Sequence, residues 1–152
     1  MQTDTIAIPA SVEAEHQAIH AALEEATRAP GRVGSAARAL AEVLHPHFVR
    51  EEQIALPPLG LLAPLAAGER PPEPARALAM ADSLRRELPG MLEEHTHIRA
   101  AVEALRAAAR AERNAPAEHL ADQLALHART EEEVLYPAAI LVGDVIRARL
   151  GT

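Results

Sequence analysis

The sequence contains no cysteine, no lysine and no tryptophan, and only one phenylalanine and one tyrosine among its 152 residues. Without thiols there is no disulfide, thiolate nucleophile, iron–sulfur cluster or cysteine-ligated zinc, so any metal chemistry is left to histidine and carboxylate. With aromatics at 1%, the core must be built from Leu, Ala, Val and Ile. Ala, Leu, Glu and Arg head the helix-propensity ranking, whereas the aromatic and β-branched strand formers are scarce, which argues against a sandwich or barrel.

Basic character is also short. The formal charge is −7, and the 15 cations, all arginine, form no run longer than Arg85-Arg86. Binding to nucleic acid or to an anionic membrane needs a clustered basic surface, so neither partner is expected. No window reaches the roughly 18 uninterrupted apolar residues of a membrane span. The start, MQTDTIAIPAS, has no basic stretch followed by an apolar one, which predicts a soluble, cytoplasmic protein. The length fits a single domain over 1–152.

What is abundant is helical punctuation. The 12 prolines and 7 glycines divide the chain into helices expected at about 11–29, 35–56, 75–113 (kinked or broken at Pro89-Gly90) and 115–141. Ser11 is a candidate N-cap for the first, and Asn114 opens the fourth with Pro116 in its first turn. Residues 57–74 hold six prolines and many leucines, predicting an ordered apolar crossover. The fold predicted is all-α: an antiparallel up-down four-helix bundle, with a short C-terminal capping helix formed by the apolar tail from Ile140 to Leu150.

The inward stripe of each helix steps by four and three residues. It reads Val12, His16, Ile19, Leu23, Ala26 on the first helix, and Leu40, Leu44, His47, Glu51, Ile54 on the second. The third gives Leu84, Leu88, Met91, His95, Ile98, Val102, Leu105, Ala109, and the fourth Leu120, Leu124, His127, Glu131, Val134, Ala138. Six polar residues interrupt it: His16, His47, Glu51, His95, His127 and Glu131. A His and a Glu four apart lie one above the other on a helix face, so each His-x3-Glu pair aims at one point on the bundle axis. The two pairs sit in an ungapped internal echo, His47-x3-Glu51-Glu52 through Pro57 and His127-x3-Glu131-Glu132 through Pro137.

Burying two unpartnered carboxylates costs several kcal/mol each. A pair of cations offsets that cost, and imidazole with carboxylate suits iron, manganese or zinc. A metal-free polar network is the competing reading. Among the remaining histidines, His20 flanks the same face one turn from His16, whereas His45, His97 and His119 are expected off the stripe. Glu52, Glu132 and Glu133 are expected to face solvent or pair with Arg50 and Arg129. Pro46, inside the second helix, should kink it beside the site.

These residues together resemble a hemerythrin-like (HHE cation-binding) domain: Glu15-His16, His47-x3-Glu51-Glu52 with Pro57, Glu94-His95-x2-Ile98-Arg99, and His127-x3-Glu131-Glu132 with Leu135-Tyr136-Pro137. The resemblance spans nearly the whole chain. It implies a non-heme centre of two iron ions with an oxo or hydroxo bridge, His16 and His47 serving one iron, His95 and His127 the other, and Glu51 and Glu131 bridging. Arg99 stands where the oxygen-carrying hemerythrins have another histidine, so His20 or water would have to supply that donor. Loss of the nitrogen favours reaction with peroxide, dioxygen or nitric oxide over protected oxygen transport. An iron- or oxygen-sensing or iron-handling module without turnover is the alternative, and either a monomer or a homodimer is compatible with the sequence.

Overall fold

The computed structural model describes residues 6–151. Residues 1–5, part of the start expected to carry no leader, and residue 152, both expected within the single domain, lie outside the described residues. The helices are α1 (Ala10–Thr27), α2 (Gly31–Ile54), a 3-10 turn (Pro57–Leu61), α3 (Leu62–Ala66), α4 (Pro74–Ala111), α5 (Ala115–Thr130), a π turn (Glu131–Leu135) and α6 (Tyr136–Leu150). Four long rods result, because α5, the π turn and α6 follow one another without a break. Each rod packs on the next, and α5 returns to α1, closing an all-α helical bundle.

The helix starts are set by local chemistry. Pro9 occupies the N-cap position of α1, and its carbonyl accepts the Val12 and Glu13 amides at 3.0 Å. Ser11 is therefore inside the first turn and caps nothing. The second rod begins at Gly31, ahead of the expected Ser35, because Pro30 is extended and Gly31 takes a φ of 70° that a side chain would resist. Its orphan amides are capped from far away: Glu112, just beyond α4, accepts from Arg32 N at 2.6 Å and Val33 N at 3.2 Å. At α5, Asn114 Oδ1 accepts from Ala117 N at 3.1 Å, as an N-cap asparagine should.

The proline-rich crossover is ordered and apolar, with Pro57, Pro58, Leu59, Leu61 and Leu65 buried. α4 runs through Pro89 and α2 through Pro46. The apolar tail is helical and continues the fourth rod along α4, where Gly143 permits the approach: a Cβ there would stand 2.6 Å from that of Ala81.

The core falls into layers. One cluster joins Ile19, Leu44, Ile98, Leu105 and Leu124 with their neighbours, and a second joins Ile54, Leu56, Leu84, Met91 and Tyr136. Between them in sequence, on every rod, lies one polar station: His16, His47 with Glu51, His95, and His127 with Glu131.

Candidate metal centre

Those six side chains are the buried polar or charged residues among the described part of the chain. None is more than 4% exposed, and Glu51 is fully buried. They form two donor groups: His16, Glu51, His127 and Glu131 in one, His47, His95 and Glu131 in the other. Glu131 borders both groups. It lies 3.3 Å from His127 Nε2 and 3.5 Å from His95 Nε2, while Glu51 lies 3.0 Å from His47 Nε2.

This partition differs from the one implied by the resemblance. The imidazoles pair His16 with His127 and His47 with His95, not His16 with His47 and His95 with His127. Carboxylates on the outer side of the bundle set the orientation of the rings. His127 Nδ1 lies 2.5 Å from Glu15, His47 Nδ1 2.5 Å from Glu94, His95 Nδ1 2.9 Å from Glu132, and His16 Nδ1 3.6 Å from Glu52. Each carboxylate belongs to a rod adjacent to that of its histidine, and the four relations run around the bundle in one sense. An Nδ1 proton given to a carboxylate fixes the tautomer that leaves Nε2 as a bare lone pair facing inward.

Two such lone pairs, His47 Nε2 and His95 Nε2, stand 3.0 Å apart. Neither can donate to the other in that tautomer. Their shared protein partner is the Tyr136 hydroxyl, 3.2 Å from the first and 3.1 Å from the second. Burial, followed by the nearby Glu51 charge, holds the Tyr136 phenol above its usual range, so it stays a neutral donor. Burial also lowers His16 and His95 from the ordinary imidazole value; for His47 burial acts the same way but is outweighed by Glu51 and Glu94, which raise it. Glu132 is held below the usual carboxylate range, because His95 and Arg99 outweigh its partial burial.

The four-donor group is the unsatisfied one. Both nitrogens of His16, both oxygens of Glu51, His127 Nε2 and Glu131 Oε2 are buried without a hydrogen-bond partner. The Glu51–His47 and Glu131–His127 approaches are close but do not satisfy these atoms. No arginine enters this layer, so two carboxylates sit among imidazoles with no fixed positive charge to balance them. Nitrogen lone pairs and carboxylate oxygens converging in a dry interior have the chemistry of a cation site, and the residues present fit one.

Several residues are placed where sequence reasoning did not put them. Val134 is 54% exposed rather than inward. The π turn adds a residue to its turn and rotates everything after Glu131, so that Tyr136, Ala139, Val142 and Ile146 face the core. Tyr136 is thus a site residue the regular period missed. A signal existed in the internal echo, where Tyr136 occupies the place of Leu56. Glu15, Glu52, Glu94 and Glu132 also face the site's imidazoles, and the signal for them is that each is the immediate neighbour of a stripe residue. Arg50 pairs with Glu87, not with Glu52, whereas Glu133 does lie 3.3 Å from Arg129. Arg99 forms a close ion pair with Glu132 and so braces the carboxylate that holds His95. His20 lies outside both donor groups and faces His45, with ring centroids 6.0 Å apart.

The Hemerythrin HHE cation-binding domain model matches residues 7–139. The chain belongs to that family, and its domain is a metal-binding one. Among curated proteins and solved structures, none matches it. No helix among the described residues is long and apolar enough to cross a membrane.

Proposed function

We propose that the chain is a non-heme di-iron protein whose six buried donors, His16, His47, Glu51, His95, His127 and Glu131, hold the two ions, and that it binds or reduces dioxygen, peroxide or nitric oxide in the cytoplasm. The supporting observation is the set of partnerless buried nitrogens and oxygens on His16, Glu51, His127 and Glu131. When bound, a pair of iron ions supplies redox equivalents and open coordination positions for a small ligand. The protein's own contribution is placement. Outer carboxylates orient the imidazoles, Glu131 borders both donor groups, and the apolar layers above and below exclude water.

The Tyr136 hydroxyl is the neutral proton donor closest to the His47 and His95 nitrogens. It is suited to hydrogen-bonding an anionic oxygen ligand held there. Manganese or zinc would suit the same donors, and the iron reading is tested by anaerobic reconstitution followed by metal analysis, an optical spectrum and peroxide decay. Two irons per chain, near-ultraviolet absorption and peroxide loss above that of free iron are expected. Zinc bound in preference to iron would overturn the reading. Iron bound without turnover, with a fold that collapses on chelation, would move it to iron or oxygen sensing.

A further inference from the structure

We infer that the groove between α1 and α2 is the route by which cations reach the buried layer, and that His20 and His45 form a transit ligand pair along it. This rests on the metal-centre reading above and adds a part of the molecule that the centre itself does not use.

The groove encloses about 480 Å³ and is lined by His16, His20, His45, Glu13, Glu24 and Glu52 among others, with no arginine in its walls. His16 is the link to the interior. It is 4% exposed, borders the groove, belongs to the four-donor group, and has both ring nitrogens without a hydrogen-bond partner. An ion in the groove therefore meets a buried lone pair that already belongs to the centre.

The same place is the weakest joint in the ring of outer carboxylates. Three Nδ1–carboxylate distances are 2.5 to 2.9 Å, but His16 Nδ1 to Glu52 is 3.6 Å, beyond hydrogen-bond range. Glu52 is 51% exposed on the groove. His16 is consequently the imidazole held least by its outer carboxylate; what positions its ring instead is stacking on Phe48, with centroids 4.1 Å apart, so no hydrogen bond has to break for it to meet an ion arriving from the groove.

His20 lies one helical turn beyond His16 on α1, and His45 faces it from α2. Both are exposed. Two imidazoles at this separation can share an ion after small rotamer changes, but they do not form a closed site with a third donor. Weak, incomplete ligation is what a transit station requires, since a tight site would retain the ion. Glu13 and Glu52 supply negative potential along the walls, while Glu24 is shared with Arg28 at 2.7 Å.

The test is the rate of Co(II) uptake by chelator-stripped full-length protein, followed by stopped-flow visible absorbance, with final stoichiometry from metal analysis. The double variant His20→Ala/His45→Ala should load at least about five-fold more slowly than the wild type yet reach the same stoichiometry. His97→Ala and His119→Ala, which change exposed imidazoles elsewhere, should load at the wild-type rate. Thermal melting of the stripped proteins verifies that the double variant is folded. A double variant that loads at the wild-type rate would overturn the transit route and leave the centre standing. Loss of final stoichiometry would also overturn it, by making these histidines part of the ligand set. A wild type that takes up no Co(II) would overturn the metal-centre reading, and this inference with it.

Discussion

The Tyr136 hydroxyl lies 3.1 Å from His95 Nε2, on a side of the fourth rod that an uninterrupted α-helix would have turned away from the core. In the metal-free protein that hydroxyl, with its single proton, is shared between two facing imidazole nitrogens, His47 Nε2 and His95 Nε2. Tyr136→Phe keeps the ring and removes only the donor, so it should destabilise the stripped protein by about 1–3 kcal/mol, read from denaturant midpoints at constant slope. Tyr136→Leu, which copies the equivalent position of the internal echo, should cost more because it also leaves a cavity.

The π turn makes a register prediction. Val134→Glu should change stability by no more than about 0.5 kcal/mol, because the side chain is already in solvent despite its place in the apolar period. Ala139→Glu, at a fully buried position, should prevent stable folding, because it buries an unpaired charge. Circular dichroism melts of the two variants distinguish this register from a continuous α-helix, in which Val134 would be buried and Val134→Glu would be strongly destabilising as well.

Loss of Glu51 or Glu131 should weaken metal binding to different extents, and loss of the Glu51 charge should help the metal-free fold. Glu131 borders both donor groups and Glu51 one, so Glu131→Ala should lower metal stoichiometry further than Glu51→Ala. Glu51→Gln removes a fully buried charge whose close polar neighbours are imidazoles and not a fixed cation, and the chelator-treated variant should melt above the wild type under the same conditions. His119→Ala should leave stoichiometry unchanged.

The His95 environment fixes the sign of a pH effect. Burial lowers its folded-state pKa below the ordinary 6.5, so between those values the unfolded chain binds more protons than the folded one. Its contribution is then least favourable at low pH and improves as pH rises through about 6.5. For metal-free protein, the melting difference between wild type and His95→Leu should therefore move in favour of the wild type from pH 5.5 to 7.5. A difference moving the other way would mean that the Glu132 contact outweighs burial.

Glu112 offers a check independent of any metal. It caps α2 from the end of α4, and Glu112→Ala should cost about 0.5–2 kcal/mol by chemical denaturation. Its distance in sequence from the amides it caps explains why no local motif announced it.

The burial of six polar side chains at one level was legible because two periods coincide, the four-three helical stripe and the His-x3-Glu echo, and both are short-range properties of the chain. The helix existence and the apolar crossover were legible for the same reason. What escaped depends on partners that sequence proximity does not reveal. The Gly31 start needs Glu112, the outward turn of Val134 needs the π insertion, and the pairing of His16 with His127 needs carboxylates contributed by other rods. In sequence Arg99 stands only for a missing imidazole; its grip on Glu132 depends on α4 and the π turn lying side by side.

The head-to-tail ring of glutamates and imidazoles has a mechanical corollary. Because Glu15 grips His127, Glu132 grips His95, Glu94 grips His47 and Glu52 reaches toward His16, no rod can twist about its own axis without tugging on a neighbour. The four cylinders are geared together, and a push on any one tooth is felt by all of them, with slack only where Glu52 fails to mesh.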